Sequence, residues 1–206
     1  MPKLALIADI KSSRRVKERA ELQRKMEHCL QRLTQTNPGI ISPYTITLGD
    51  EFQALFCRAD QVLLDVFRIM YELYPVSIRF SLGIGDITTD INPDQALGMD
   101  GPAFYRAREG MTYLKQSEDL LRLEGLPDSL NSLCNHSLQL LSHISAKWRR
   151  SRFQILLGLS EGMSVKDLAE QLQISEQAVY KNISDGSLES VLGLLDDISL
   201  QINQTL

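Results

Sequence analysis

Asp9, Asp50 and Glu51 are the residues whose types and placement can do chemistry. Gly49-Asp50-Glu51-Phe52 puts two adjacent carboxylates in a glycine-opened turn, with Ile46-Thr47-Leu48 upstream and an apolar run from Phe52 to Phe56 downstream. Such a turn projects acids from the tip of a hairpin, where they can hold a divalent cation. Asp9 ends a second apolar run, Leu4-Ala5-Leu6-Ile7-Ala8. Two strand-end acids that meet in space form the simplest metal–phosphate site a sheet can build. In the alternative reading Asp9 caps a helix and Gly49-Asp50 is an ordinary hairpin turn.

The elements that must position these acids can be read from periodicity. The short continuous apolar run at 4–8 predicts a buried strand. Ser12 and Ser13 offer N-caps to a helix with Leu22, Met26, Leu30 and Leu33 on one face, stopped by Asn37-Pro38-Gly39. Two strands around Gly49-Asp50 follow as a hairpin. Val62, Val66, Phe67, Met70 and Leu73 form a helical stripe ended by Pro75. Ile78, Phe80, Leu82 and Ile84 then alternate with Ser77, Arg79, Ser81 and Gly83, the pattern of a half-covered strand. A loop over 86–101 leads to a helix from Pro102 and a last strand over 119–123. The order β-α-β-β-α-β, followed by α and β, predicts an α+β, ferredoxin-like antiparallel sheet with helices on one face.

Beyond Gly125-Leu126-Pro127 strand-like runs disappear. The chain divides into a sheet domain at 1–126, a connecting helix at 127–147 carrying Leu130, Leu133, Leu138, Leu141 and Ile144, and a helical domain at 148–206. Within the last, a capped helix from Ser164 to Leu172, a turn at Gln173-Ile174-Ser175 and a helix from Glu176 to Ile183 share Leu168, Leu172, Ile174, Val179 and Ile183. That pattern resembles bacterial helix-turn-helix modules. Its second helix exposes Gln177, Tyr180, Lys181 and Asn182, which with Ser175 are candidates for meeting bases or phosphates. Lys147, Arg149, Arg150 and Arg152 form a basic cluster, yet from Ala146 onward six basic residues stand against eight acidic ones. Tight DNA binding then requires pairing of two copies, and docking to another protein is the alternative.

Composition excludes several classes. The net charge of −4 gives no general attraction to nucleic acid or anionic membrane. Three scattered cysteines suit neither a disulfide framework nor a metal cluster. No segment approaches the ~20 apolar residues of a membrane span, and the first apolar run ends in Asp9, unlike a signal peptide. A cytoplasmic protein is expected.

The strand order with acids after the first strand and in the next hairpin resembles the class III nucleotide cyclases and, more distantly, the GGDEF diguanylate cyclases. Ala8-Asp9-Ile10, Leu48-Gly49-Asp50-Glu51-Phe52, the strand Arg79-Phe80-Ser81-Leu82-Gly83-Ile84-Gly85 and the helix beginning Gly101-Pro102-Ala103-Phe104 carry the likeness. A cyclase-like first half with a helical second half resembles the bacterial SatD family. The resemblance implies that Asp9 and Asp50, with Glu51 beside them and help from the Ile10 carbonyl, hold Mg²⁺ or Mn²⁺. It implies a nucleoside triphosphate or cyclic nucleotide ligand, its phosphates met by amides near Lys11, Ser12 and Ser13 and by Arg14, with Arg79, Arg106 and Arg108 as further cations. Such palms often act as homodimers. Where cyclases carry an asparagine and an arginine on the late helix, this chain has Tyr105 and Glu109, and Leu48 replaces the first glycine of GGDEF. An acid where negative charge develops opposes cyclisation. The expected function is regulatory: a degenerate cyclase-like domain binds a metal–nucleotide ligand and modulates a DNA-binding module. A working two-metal cyclase or phosphotransferase and a non-catalytic interaction protein are the alternatives.

Overall fold

The computed structural model describes residues 1–12, 18–47 and 49–206. It opens with β1 (Lys3–Ile10), α1 (Arg19–Thr36), the hairpin β2 (Ile40–Ile46) and β3 (Glu51–Phe56), α2 (Val62–Glu72) and β4 (Ile78–Gly85). Then come α3 (Pro102–Gln116), β5 (Leu121–Glu124), α4 (Asp128–Ser145), α5 (Arg150–Ser160), α6 (Val165–Leu172), α7 (Glu176–Gly186) and α8 (Leu188–Thr205). The sheet order is β2-β3-β1-β4-β5. Its first four strands are antiparallel neighbours in the split βαβ arrangement expected from the sequence.

Two expectations are corrected. The sheet is mixed, because β5 lies parallel to β4. Helices also cover both faces. Leu4, Leu6, Ala8 and Ile10 join Phe52, Phe80 and the inner residues of α1 and α2 in the larger core. The opposite face of β1, with Ala5 and Ile7, packs against Ala103, Phe104, Ala107 and Met111 of α3. The small residues of β4 look solvent-facing in a pattern reading, but they are small because a helix sits on them. A methyl group on Gly83 would lie 2.2 Å from the Ala103 carbonyl oxygen and 2.4 Å from the Ala107 nitrogen.

The first helix also begins later than the serine caps suggest. Ser12 has φ of 59°, and α1 starts at Arg19. The Lys11 amide donates to the Ser77 carbonyl at 2.8 Å, so strand-like pairing runs past Ile10 before the chain turns. Ser13, Arg14 and Leu48, each part of a sequence-level reading, fall outside the described residues.

One cluster of buried side chains continues from the sheet into the C-terminal helices. Phe67 of α2 meets Trp148 at 5.9 Å and Phe153 of α5 at 6.3 Å between ring centroids, and those two rings lie 5.2 Å apart. Asn203 of α8 accepts from the Ala59 amide and donates to Asp60, both at 2.7 Å. The helices after residue 148 therefore share a core with the sheet. At the sheet's β5 edge, Asn135 of α4 accepts from the Leu123 amide at 3.0 Å and donates to the Leu123 carbonyl at 2.6 Å. Ser142 accepts from the Leu120 and Leu121 amides, each at 3.1 Å. Side-chain groups thus fill edge positions that would otherwise invite another strand. No helix among the described residues is long and apolar enough to cross a membrane.

Because backbone rather than a flexible side chain blocks any methyl on Gly83, Gly83→Ala should lower stability by about 2–3 kcal/mol. Urea unfolding monitored by circular dichroism measures this. A loss below ~0.5 kcal/mol would mean that α3 does not press on β4 as described.

Candidate functional site

The antiparallel ladder sets the site. Asp9 stands opposite Glu51 of β3 on one side and Arg79 of β4 on the other. Directly paired residues project to the same face, so all three point toward α3. Two acids opposite each other repel, and two cations offset that repulsion. Arg79 donates from Nη1 to Asp9 Oδ2 at 3.0 Å. Lys115, in the last turn of α3, places Nζ 3.9 Å from Asp9 Oδ1 and 3.9 Å from Glu51 Oε2. The Asp9 and Arg79 side chains are only 14% and 13% exposed, so their attraction is weakly screened. Arg79 Nε is buried with no hydrogen-bond partner among the described residues.

The hairpin tip is stitched to this corner by its backbone. The Ile10 amide donates to the Asp50 carbonyl at 3.0 Å, and the Thr47 amide donates to the Glu51 carbonyl at 2.9 Å. Gly49 takes φ of +77°, which its missing Cβ permits. Asp50 lines a small recess with Ile10, Arg19 and Gln23, on the α1 side of the corner. The structure thus pairs Asp9 with Glu51 across the ladder, where sequence reasoning put Asp50 first. Lys11 lies nearby, and its ammonium is paired with Glu118.

The remaining candidates lie elsewhere or are already engaged. Arg106 donates to the Ile84 carbonyl and Arg108 lies 3.9 Å from Asp100. Ile84 pairs with Leu4 at the opposite end of β1, so both arginines stand away from Asp9. Tyr105 and Glu109 are exposed on the outer side of α3, and Tyr105 donates to Asp100. In the C-terminal helices Ser175 caps α7, its hydroxyl accepting from the Ala178 amide at 3.2 Å. Asn182 accepts from Arg152 at 3.3 Å and donates to the Ala178 carbonyl at 2.9 Å. Gln177, Tyr180 and Lys181 remain exposed on one side of α7.

Carboxylate oxygens suit Mg²⁺ or Mn²⁺. Among the described residues no three His, Cys, Asp or Glu side chains gather as a metal cage. Mg²⁺ is commonly held by one or two carboxylates with phosphate oxygens completing its shell. Asp9 and Glu51 therefore fit a cation that arrives with a phosphate ligand, and fit a standing metal poorly.

Sequence reasoning missed Asp65. It sits in an apolar helical stripe, and no motif marks it. Its side chain is buried, accepting from Asn37 at 2.7 Å and from Arg68 at 3.1 Å. Burial pushes its carboxyl up to about 6, against the pull of Asn37 and Arg68. The same burial pushes the Cys29 thiol up to about 12, removing it from thiolate chemistry.

Removing one member of the Asp9 and Arg79 pair should cost more than removing both. Arg79→Met should lose about 3 kcal/mol, and Asp9→Leu combined with Arg79→Met should recover most of it. A double-mutant cycle by urea unfolding decides this, and additive losses would contradict the pairing. Asp65 holds a proton between pH ~4 and ~6 in the folded state that the unfolded chain has released, so acidification through that window favours folding. Relative to Asp65→Asn, the wild-type protein should gain about 2 kcal/mol from pH 7 to pH 4. Parallel stability curves would show that Asp65 is not held as described.

One solved structure similar to the chain is that of a bacterial light-regulated adenylyl cyclase, with TM-score 0.46 and 18% identity. The match covers 60% of this chain and 43% of that one. No curated protein matches the chain. The SatD family model matches residues 3–194, nearly the whole sequence, and the chain belongs to the SatD family.

Proposed function

We propose that this protein is a non-catalytic regulator whose cyclase-like sheet binds a metal–nucleotide ligand at the Asp9 corner and whose α6–α7 unit acts on DNA. The observation that carries the first half is the balanced cluster of Asp9, Glu51, Arg79 and Lys115. A metal–phosphate ligand is itself a pair of opposite charges, so it can exchange partners with such a cluster. Asp9 and Glu51, with Asp50 on the neighbouring side, offer oxygens to the cation. Arg79 and Lys115, relieved of those acids, offer nitrogen donors to phosphate. When bound, the cation supplies neutralisation of the triphosphate. Turnover is not proposed, because Tyr105 and Glu109 occupy the positions where cyclases carry ribose- and phosphate-steadying groups.

The second half rests on α6, the three-residue turn and α7, which form a helix-turn-helix unit with an exposed polar side. Gln177, Tyr180 and Lys181 face outward, while Val179 is buried beneath. Arg152 of α5 donates to Asn182 of α7 at 3.3 Å and ties the two helices together. The acidic balance of this region makes binding by two copies the expected mode.

Isothermal titration with ATP, GTP and cyclic nucleotides, each with Mg²⁺ or Mn²⁺, tests the ligand. Binding should need the cation, and Asp9→Asn should weaken it at least tenfold. No heat with any nucleotide at millimolar concentration would remove the ligand half. For DNA, retention of random fragments at low salt should fall in Tyr180→Ala and Lys181→Ala, and retention unaffected by salt or by both changes would remove the DNA half.

A further inference from the structure

Helix α4 has two unlike faces. Its inner side buries Cys134, Leu138 and Leu141 and is fixed to β5 by Asn135 and Ser142. Its outer side is open and carries Leu133 and Leu140, 64% and 69% exposed. Apart from Met1, these are the most exposed large apolar side chains among the described residues. They stand two helical turns apart, ~10 Å, and so share one stripe, with the exposed His136 and His143 beside them.

Charge is missing from this surface. From Ser129 to Ser145 the chain has no Asp, Glu, Lys or Arg, in a protein where 23% of residues are charged. Helix α1, of the same length, carries Arg19, Glu21, Arg24, Lys25, Glu27 and Arg32. The outer side of α1 has the mixed charges of a surface that stays in water. The outer side of α4 has the charge depletion of an interface core.

The charges at the two ends of α4 identify what covers it. Asp128 opens the helix, and Lys147 follows its last residue, with the ammonium 2.8 Å from His143 Nε2 on the open side. The midpoint between Asp128 and Lys147 falls within about one residue, ~1.5 Å, of the midpoint between Leu133 and Leu140. A two-fold axis through that point runs two copies of α4 antiparallel. It sets Leu133 of one copy level with Leu140 of the other, and Asp128 of each level with Lys147 of the other. Antiparallel helix dipoles favour the same arrangement, and a face free of Asp, Glu, Lys and Arg meets its own copy without setting like charges together.

We propose that the outer face of α4 is a homodimer interface, with two copies packed antiparallel through Leu133, Leu140 and the neighbouring histidines. The pairing involves neither the Asp9 corner nor α7. It supplies the two copies that DNA binding calls for and does not depend on that binding. One helix face lies at the low end of specific interfaces, so the dimer is weak, with Kd about 10–100 µM.

Sedimentation equilibrium of the full chain from about 5 to 500 µM, without nucleotide or DNA, provides the test. The wild type should pass from monomer to dimer across that range. Leu133→Glu and Leu140→Lys should each weaken the dimer at least tenfold, because each sets a charge against a leucine. Combined in one chain, they should bind about fivefold or more tighter than either alone, since each new acid then faces the new base of the other copy. Both positions are exposed, so circular dichroism should match the wild type; Leu133→Ala with Leu140→Ala, which adds no charge, should weaken the dimer as well. A wild-type chain that stays monomeric at about 500 µM, or a dimer that none of these changes weakens, would overturn the interface. No recovery in the combined variant would overturn the antiparallel register.

Discussion

The approach of α3 to β4 is the contact on which the rest of the molecule depends. The Ala103 carbonyl and the Ala107 backbone lie where a side chain on Gly83 would stand, so helix and strand meet backbone to side-chain-free backbone. That height closes the second face of the sheet over Ala5, Ile7 and Leu55. It also carries the last turn of α3 to the end of β1, where Lys115 reaches Asp9 and Glu51. A helix held farther out would leave Arg79 alone to offset two facing acids, and would leave those acids in water. The charge cluster is therefore a consequence of close packing some distance away along the strand.

A second consequence concerns how the two halves of the chain relate. Trp148 and Phe153 pack on Phe67, and Asn203 ties α8 to the start of α2. The helical half is built onto the outer surface of α2, and both halves contribute to one buried cluster. Where this packing is incomplete it leaves a cavity lined in part by Asp65. Desolvation there raises the proton affinity of Asp65 against the opposing pull of Asn37 and Arg68.

Much of the fold was legible in the sequence. The strand–helix order, the hairpin at Gly49-Asp50 and the helices flanking Gln173-Ile174-Ser175 follow from apolar periodicity and turn chemistry, which are local signals. The covered face of β4 was not legible, because glycine and serine opposite an apolar stripe look the same whether water or a helix backbone lies above them. The start of α1 was misread for a related reason. Ser12 has the chemistry of a cap, but the Lys11 amide was already committed to Ser77, a partner far away in sequence. Arg79 was legible only as a cation on the polar side of a strand; its register opposite Asp9 is a property of sheet pairing.

By itself the sequence determined the kinds of element, their order, and the presence of acids at the end of the first strand and in the next hairpin, because these depend on neighbours within a few residues. Tertiary structure decided which acid faces Asp9, which cations balance the pair, and that Asp65 is buried at a junction. Those outcomes depend on ladder register, on the depth of one helix over one glycine, and on how α5 seats against α2. Charges 40 or more residues apart acquire their meaning only when packing sets the distance and the dielectric between them, as with Arg79 and Asp9.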